Sequence, residues 1–140
     1  MVVGRESGCI VSKGRVMAIK SEVENVGDYL RMKSSGTLDS VEEVELYMDT
    51  IRLAALSKGV KKVLLDERNL MQMQDAHEAY ELSESEATRL TALAGIRLSS
   101  VCNPDNYDLN KTYETFLMNR SLIFKVFLDE QEAIDWLIAS

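Results

Sequence analysis

Apolar and polar residues alternate with period two over Val16–Val23 and again over Tyr29–Ser34. Met17, Ile19 and Val23 share one side of the first run, and in the second Leu30 and Met32 oppose Arg31 and Lys33. Such alternation marks strands with one covered face. Asn25-Val26-Gly27-Asp28 between the runs is turn chemistry, so the pair predicts a hairpin. Its charged outer face predicts a half-solvated position near a sheet edge. Residues 1–15 carry Gly4, Gly8 and Gly14 and no clear period; they read as a loose N-terminal arm with a short extended piece at Ile10-Val11.

Behind the hairpin, Ser40-x-x-Glu43 has the spacing of a capping box. Val41, Val44, Met48, Ile51 and Ala55 then recur at helical spacing, with Tyr47 and Ala54 widening the stripe. Gly59 closes that helix, since glycine accepts a left-handed backbone freely. In Lys62–Asp66, Val63, Leu64 and Leu65 run without a polar alternate, which predicts a strand covered on both faces. Asp66 ends it, residues 67–74 form a loop, and Asp75-x-x-Glu78 opens a second long helix. Ala76, Ala79, Tyr80, Ala87, Leu90 and Ala94 form its inner stripe up to Gly95, small enough for close approach to the sheet.

Ile96–Cys102 reads as a strand, and Asn103–Asn106 as a loop holding the only proline. Asp108 caps a third helix with Leu109, Tyr113, Phe116 and Leu117 inward and Asn119 at its left-handed end. Leu122–Leu128 alternates again. Asp129-x-x-Glu132 caps a last helix, with Leu128 stapling Ala133 and with Ile134, Leu137 and Ile138 packing it down beside Trp136. The order is ββαβαβαβα. It predicts an α/β fold: a mixed, mostly parallel five-stranded sheet with four helices over right-handed crossovers. Residues 16–140 form one domain, as expected for a chain of 140 residues.

The formal charge of −7 repels phosphate backbones and anionic bilayers, so nucleic acid is not an expected partner. Lys58, Lys61 and Lys62 are the one local exception, and their plain reading is a solvated loop. Cys9 and Cys102 make no framework, and with one histidine there is no metal motif; no cofactor is expected. No apolar run approaches the roughly 20 residues of a membrane helix. With no signal peptide visible, the expected location is the cytoplasm.

The element order, together with the strings GVKKVLLDERNL (59–70), NPDNYDLNKTYETFLMNR (103–120) and KVFLDEQEAIDWL (125–137), resembles the STAS family of anti-sigma-factor antagonists. The closer resemblance is to its small SpoIIAA-like bacterial branch, also described as STAS/SEC14-like, over residues from about Val16 to the end. The resemblance implies a regulatory, non-catalytic module that binds a protein partner. Regulatory members carry a phosphorylated serine, preceded by aspartate, at the start of the second helix. Here Asp66 matches the family's strand aspartate, while Asp75 stands at the serine position and Gln74 before it. The usual phosphorylatable serine is therefore lacking at that position. Asp75 is then either a permanent negative charge or an ordinary helix cap worth about 1 kcal/mol.

The leading expectation places the partner surface on Asp66, Met71, Gln72, Met73, Gln74 and Asp75, with Met71 and Met73 as adaptable loop contacts or as a lid folded on the core. It allows a homodimer. The alternative is a small-molecule or lipid carrier whose pocket is lined by Tyr80, Tyr113 and Phe116, rings that at helical spacing are more often plain core. A third reading is a thiol enzyme using Cys102 with His77 and Asp75, although two residues apart on one helix turn His77 and Asp75 point to different sides. The leading reading has no catalytic residue.

Overall fold

The computed structural model describes residues 5–12 and 15–139, with side chains from residue 19 onward. The sheet has six strands in sequence order: β1 (Arg5–Ser12), β2 (Arg15–Asn25), β3 (Leu30–Leu38), β4 (Lys62–Gln72), β5 (Arg97–Cys102) and β6 (Ile123–Phe127). The first two pairings are antiparallel and the remaining three parallel. The mixed, mostly parallel sheet of five strands expected from the sequence is present as β2–β6. β1 joins its edge, where the sequence suggested only a short extended piece.

The hairpin forms with Val23 opposite Met32 and Glu22 opposite Lys33. Its turn is closed by the Val26 N–H donating to the Tyr29 carbonyl at 3.0 Å and the Gly27 N–H donating to Asn25 Oδ1 at 2.9 Å. Gly27 has φ 105°, which a side chain would strain.

Five helices follow: α1 (Val41–Lys58), α2 (Ala76–Ser83), α3 (Glu86–Leu93), α4 (Tyr107–Met118) and α5 (Glu130–Ile138). The first starts on the Ser40 cap and ends at Gly59, as its spacing predicts, although the Glu43 carboxylate accepts from the Asp39 N–H, one residue earlier than a full box requires. The long helix expected from Asp75 to Gly95 is two helices. Ser85 breaks it: its hydroxyl donates to the Leu82 carbonyl at 2.7 Å and accepts from the Thr88 N–H at 3.2 Å, ending one helix and capping the next. The break rotates the inner stripe, so Ala79, Leu82, Ala87, Thr88 and Thr91 are buried while Ala76 and Tyr80 are exposed.

Near α4, Asn106 rather than Asp108 holds the cap position, behind a short 3-10 turn at Pro104–Asn106. At its other end Asn119 stays right-handed and Ser121 takes the left-handed conformation, φ 68°.

α1 to α4 cover one face of the sheet over a core that includes Met32, Val63, Leu65, Leu98, Ile51, Leu82 and Leu117. On the opposite face, among the described residues, α5 packs against Leu64 and Val101 through Ala133 and Leu137. β4 is therefore covered on both sides, as its unbroken apolar run predicts, and Val63 to Glu67 are all buried.

Candidate functional site

β4 does not stop at Asp66. It runs to Gln72 by pairing with β3 beyond the end of β5. The extension contains a bulge: Lys33 pairs with Asp66 and Ser35 with Asn69, so three residues of β4 span two of β3. Arg68 and Asn69 both turn to solvent, and Leu70 and Gln72 return to the helix-rich face. The expected loop of residues 67–74 is thus mostly strand. Asp66 lies six residues before the strand end, on the order of 20 Å along the chain from Gln72 at about 3.3 Å per residue. It also belongs to the α5 face, whereas Asp75 caps α2 on the other. Asp66 and Asp75, both expected on the partner surface, therefore do not share one surface.

What Asp66 does instead is anchor a four-charge cluster. Arg31 Nη2 donates to Asp66 Oδ2 at 2.7 Å, and Arg68 Nε and Nη2 clasp both oxygens at 2.9 Å. Both arginines also reach Glu130 in the first turn of α5, at 3.0 Å from Arg31 Nε and 2.7 Å from Arg68 Nη2. Burial pushes the Asp66 carboxyl upward, but the hydrogen bonds from Arg68 and the charges of Arg68 and Arg31 outweigh it and hold the group below its ordinary value. The Glu130 carboxyl is held down chiefly by its bond from Arg31.

One residue later, Glu67 is buried on the helix-rich face without a cation. Tyr47 donates to its Oε2 at 2.7 Å and Ser100 to its Oε1 at 2.7 Å; Tyr47 also lies 3.3 Å from Ser34, which bonds Ser21 at 2.8 Å. Burial raises the Glu67 carboxyl above its ordinary range, and the two hydroxyls only partly oppose this. Glu67 borders a cavity of about 40 Å³ between the sheet and α1, α2 and α4, lined mainly by Val44, Met48, Leu98, Leu117 and Phe124. That is room for water and not for a ligand.

Of the ring residues expected to line a pocket, only Tyr113 borders this cavity, and its hydroxyl donates to Gln74 Oε1 at 3.1 Å. Tyr80 and Phe116 meet edge to face on the outer surface, centroids 5.6 Å apart. The three rings do not share a pocket.

The residues expected to bind a partner divide by exposure. Gln72 and Gln74 are buried and structural. The Asn106 side chain bonds the Gln72 backbone like a neighbouring strand, donating from Nδ2 to its carbonyl at 2.9 Å and accepting from its N–H at 3.0 Å. Gln74 Nε2 donates to the Leu38 carbonyl at 2.7 Å. Met71 is half-buried in β4, which places it in neither a loop nor a lid. Met73 is 59% exposed, and Asp75 is exposed at the α2 cap, where its reciprocal bonds with Glu78 complete the predicted box.

Cys102 is buried, and burial followed by the Glu67 charge pushes its thiol up to about 11. His77 is exposed and pairs with Glu81 at 3.6 Å, so it turns outward from Cys102. The expected Cys102, His77 and Asp75 grouping is not assembled. Among the described residues, no three His, Cys, Asp or Glu are placed to hold a metal, and no helix is long and apolar enough to cross a membrane.

Sequence reasoning placed Glu67 and Arg68 only as part of a partner-binding loop over residues 67–74 and gave Tyr47, Arg31 and Glu130 no site role. A signal was available: Glu67 lies two residues past an apolar run, next to Asp66, and Tyr47 brings a hydroxyl into an apolar helical stripe. No family model matches the sequence, and no curated protein matches it.

Proposed function

We propose that this chain is a non-catalytic, cytoplasmic STAS-like interaction module that docks a protein partner through the ridge Met73, Asp75 and His77 at the start of α2. The observation that carries the reading is Met73, a large apolar side chain 59% exposed on an immobilised backbone. Its own N–H donates to the Leu38 carbonyl at 3.0 Å, and its two neighbours are tied by the Gln74 side chain and the Asp75 capping box. A flexible thioether on a rigid base adapts to a partner at little ordering cost. The partner of matching chemistry offers an apolar socket for Met73 beside a cation for Asp75, in keeping with a net charge of −7.

A lipid or small-molecule carrier is less well supported. Its cavity of about 40 Å³ is far below the roughly 300–1,000 Å³ of ligand pockets. A thiol enzyme is opposed by the raised thiol of Cys102, since the thiolate is the nucleophile.

The test is affinity capture from the source cell with four baits: wild type, Met73→Asp, Asp75→Arg and the distant control Leu128→Asp. Matched melting curves show that all four are folded. The expected result is a protein retained by wild type and the control and lost from both ridge variants. A partner retained equally by all four overturns the ridge as its docking surface.

A further inference from the structure

At the edge of the sheet where β4, β5 and β6 begin, away from both carboxylate clusters and from the α2 ridge, lies a cleft of about 200 Å³. Its walls include Lys61 and Lys62 at the start of β4, Gly95 after α3, Arg97 at the start of β5 and Ser121 before β6. No carboxylate lines it. In a chain of net charge −7, three cations on one concavity run against the average.

The backbone brings the bases of Lys61 and Arg97 together. The Arg97 N–H donates to the Lys61 carbonyl at 2.7 Å, and the Lys61 ammonium lies over Gly95, 3.6 Å from where a Cβ there would sit. Arg97 lies over Trp136, its guanidinium carbon 4.5 Å from the ring centroid. Its Nε is buried without a hydrogen-bond partner. Among the described residues no carboxylate pairs with Lys61 or Arg97. A stacked arginine is already ordered, so an oxyanion gains charge-assisted bonds at small entropic cost. The same anion would offset the repulsion of the clustered cations.

We propose that this cleft is an anion site for a phosphate group, held by Lys61 and Arg97 with the Ser121 hydroxyl as a further donor. The volume exceeds the roughly 30 Å³ of one water and falls short of pockets that enclose a drug-sized ligand. It suits a phosphate whose remaining bonds, if any, project into solvent. Paired cations favour a phosphate dianion over a single carboxylate. The source is either free phosphate or the monoester of a small molecule.

The experiment is an amide-shift NMR titration of the full chain with inorganic phosphate at constant ionic strength, repeated with glycerol phosphate, acetate and a single-stranded oligonucleotide. Saturable shifts are expected at Gly95, Arg97 and Ser121, weakened about tenfold in Lys61→Gln, an exposed site that leaves folding intact. Arg97→Gln should weaken binding at least as much, and an unchanged far-ultraviolet spectrum checks its fold. Tighter binding of glycerol phosphate supports a monoester, and equal binding supports the free anion. Absence of saturation, equal response to acetate, full affinity in Lys61→Gln, or binding of the oligonucleotide without binding of phosphate would each overturn the assignment.

Discussion

On the α5 face of β4, Asp66 is clasped by Arg31 and Arg68, with Glu130 closing the cluster. On the opposite face, the very next residue, Glu67, meets only the hydroxyls of Tyr47 and Ser100. Both carboxylates are 3% exposed. Their exposure to solvent is the same; Glu67 lies deeper in the core and lacks the cations that Asp66 has. Asp66 has exchanged water for guanidinium and is held below its ordinary value. Glu67 has exchanged water for two neutral donors and is held above it.

The two groups must then pull stability in opposite directions with pH. Asp66 and Glu130, both lowered, contribute stability that is present above their ordinary values of 3.8 and 4.5 and is lost as pH falls through the depressed folded values. Glu67, raised, contributes stability that is full below 4.5 and is lost as pH rises through its folded value.

The largest way to break the comparison is Asp66→Ala, which leaves Arg31, Arg68 and Glu130 without their central anion. A fully buried pair broken this way costs about 3–5 kcal/mol. Arg31 and Arg68 are 23% and 46% exposed and recover some hydration, so a loss of about 2–3 kcal/mol in urea unfolding is expected. A loss below about 1 kcal/mol would place the cluster among weak surface pairs.

Tyr47→Phe tests the other face. It removes one of the two donors to Glu67 and should cost about 1–2 kcal/mol, more at alkaline than at acidic pH, because the ionised carboxylate needs the bond more. Glu67→Gln sharpens the contrast: as pH rises above 4.5, wild type should lose stability relative to the variant, while the acid limb set by Asp66 and Glu130 stays in both. Parallel curves across the whole range would show that Glu67 titrates as an ordinary carboxyl. The smallest effect is expected from Met73→Asp, within about 0.5 kcal/mol of wild type, since an exposed side chain supports a surface rather than the fold. A larger loss would make Met73 part of the core and remove it from the docking ridge.

Much of the architecture was legible along the chain because its causes are local. The Gly27 turn, the Ser40 and Gly59 ends of α1, the unbroken Val63-Leu64-Leu65 run and the Asp75 box each rest on a few consecutive residues. Where the reading departed from the molecule, a nearby competitor had won. Ser85 satisfies the backbone at Leu82 and Thr88 and splits one helix into two. Asn106, a loop residue by composition, spends its side chain on the Gln72 backbone and leaves Asp108 without the cap.

By itself, then, the sequence determined the α/β class, the hairpin, the starts of α1, α2 and α5 and the double covering of β4, since propensity, capping and hydrophobic period act within a few residues. Only the tertiary structure decided the fates of Asp66 and Glu67. The bulge at Arg68 and Asn69 aims the arginine back at Asp66, and the partners Arg31, Glu130, Tyr47 and Ser100 arrive from four other elements. A carboxylate's charge state depends on what stands within a few ångströms of it, and spacing along the chain does not specify that.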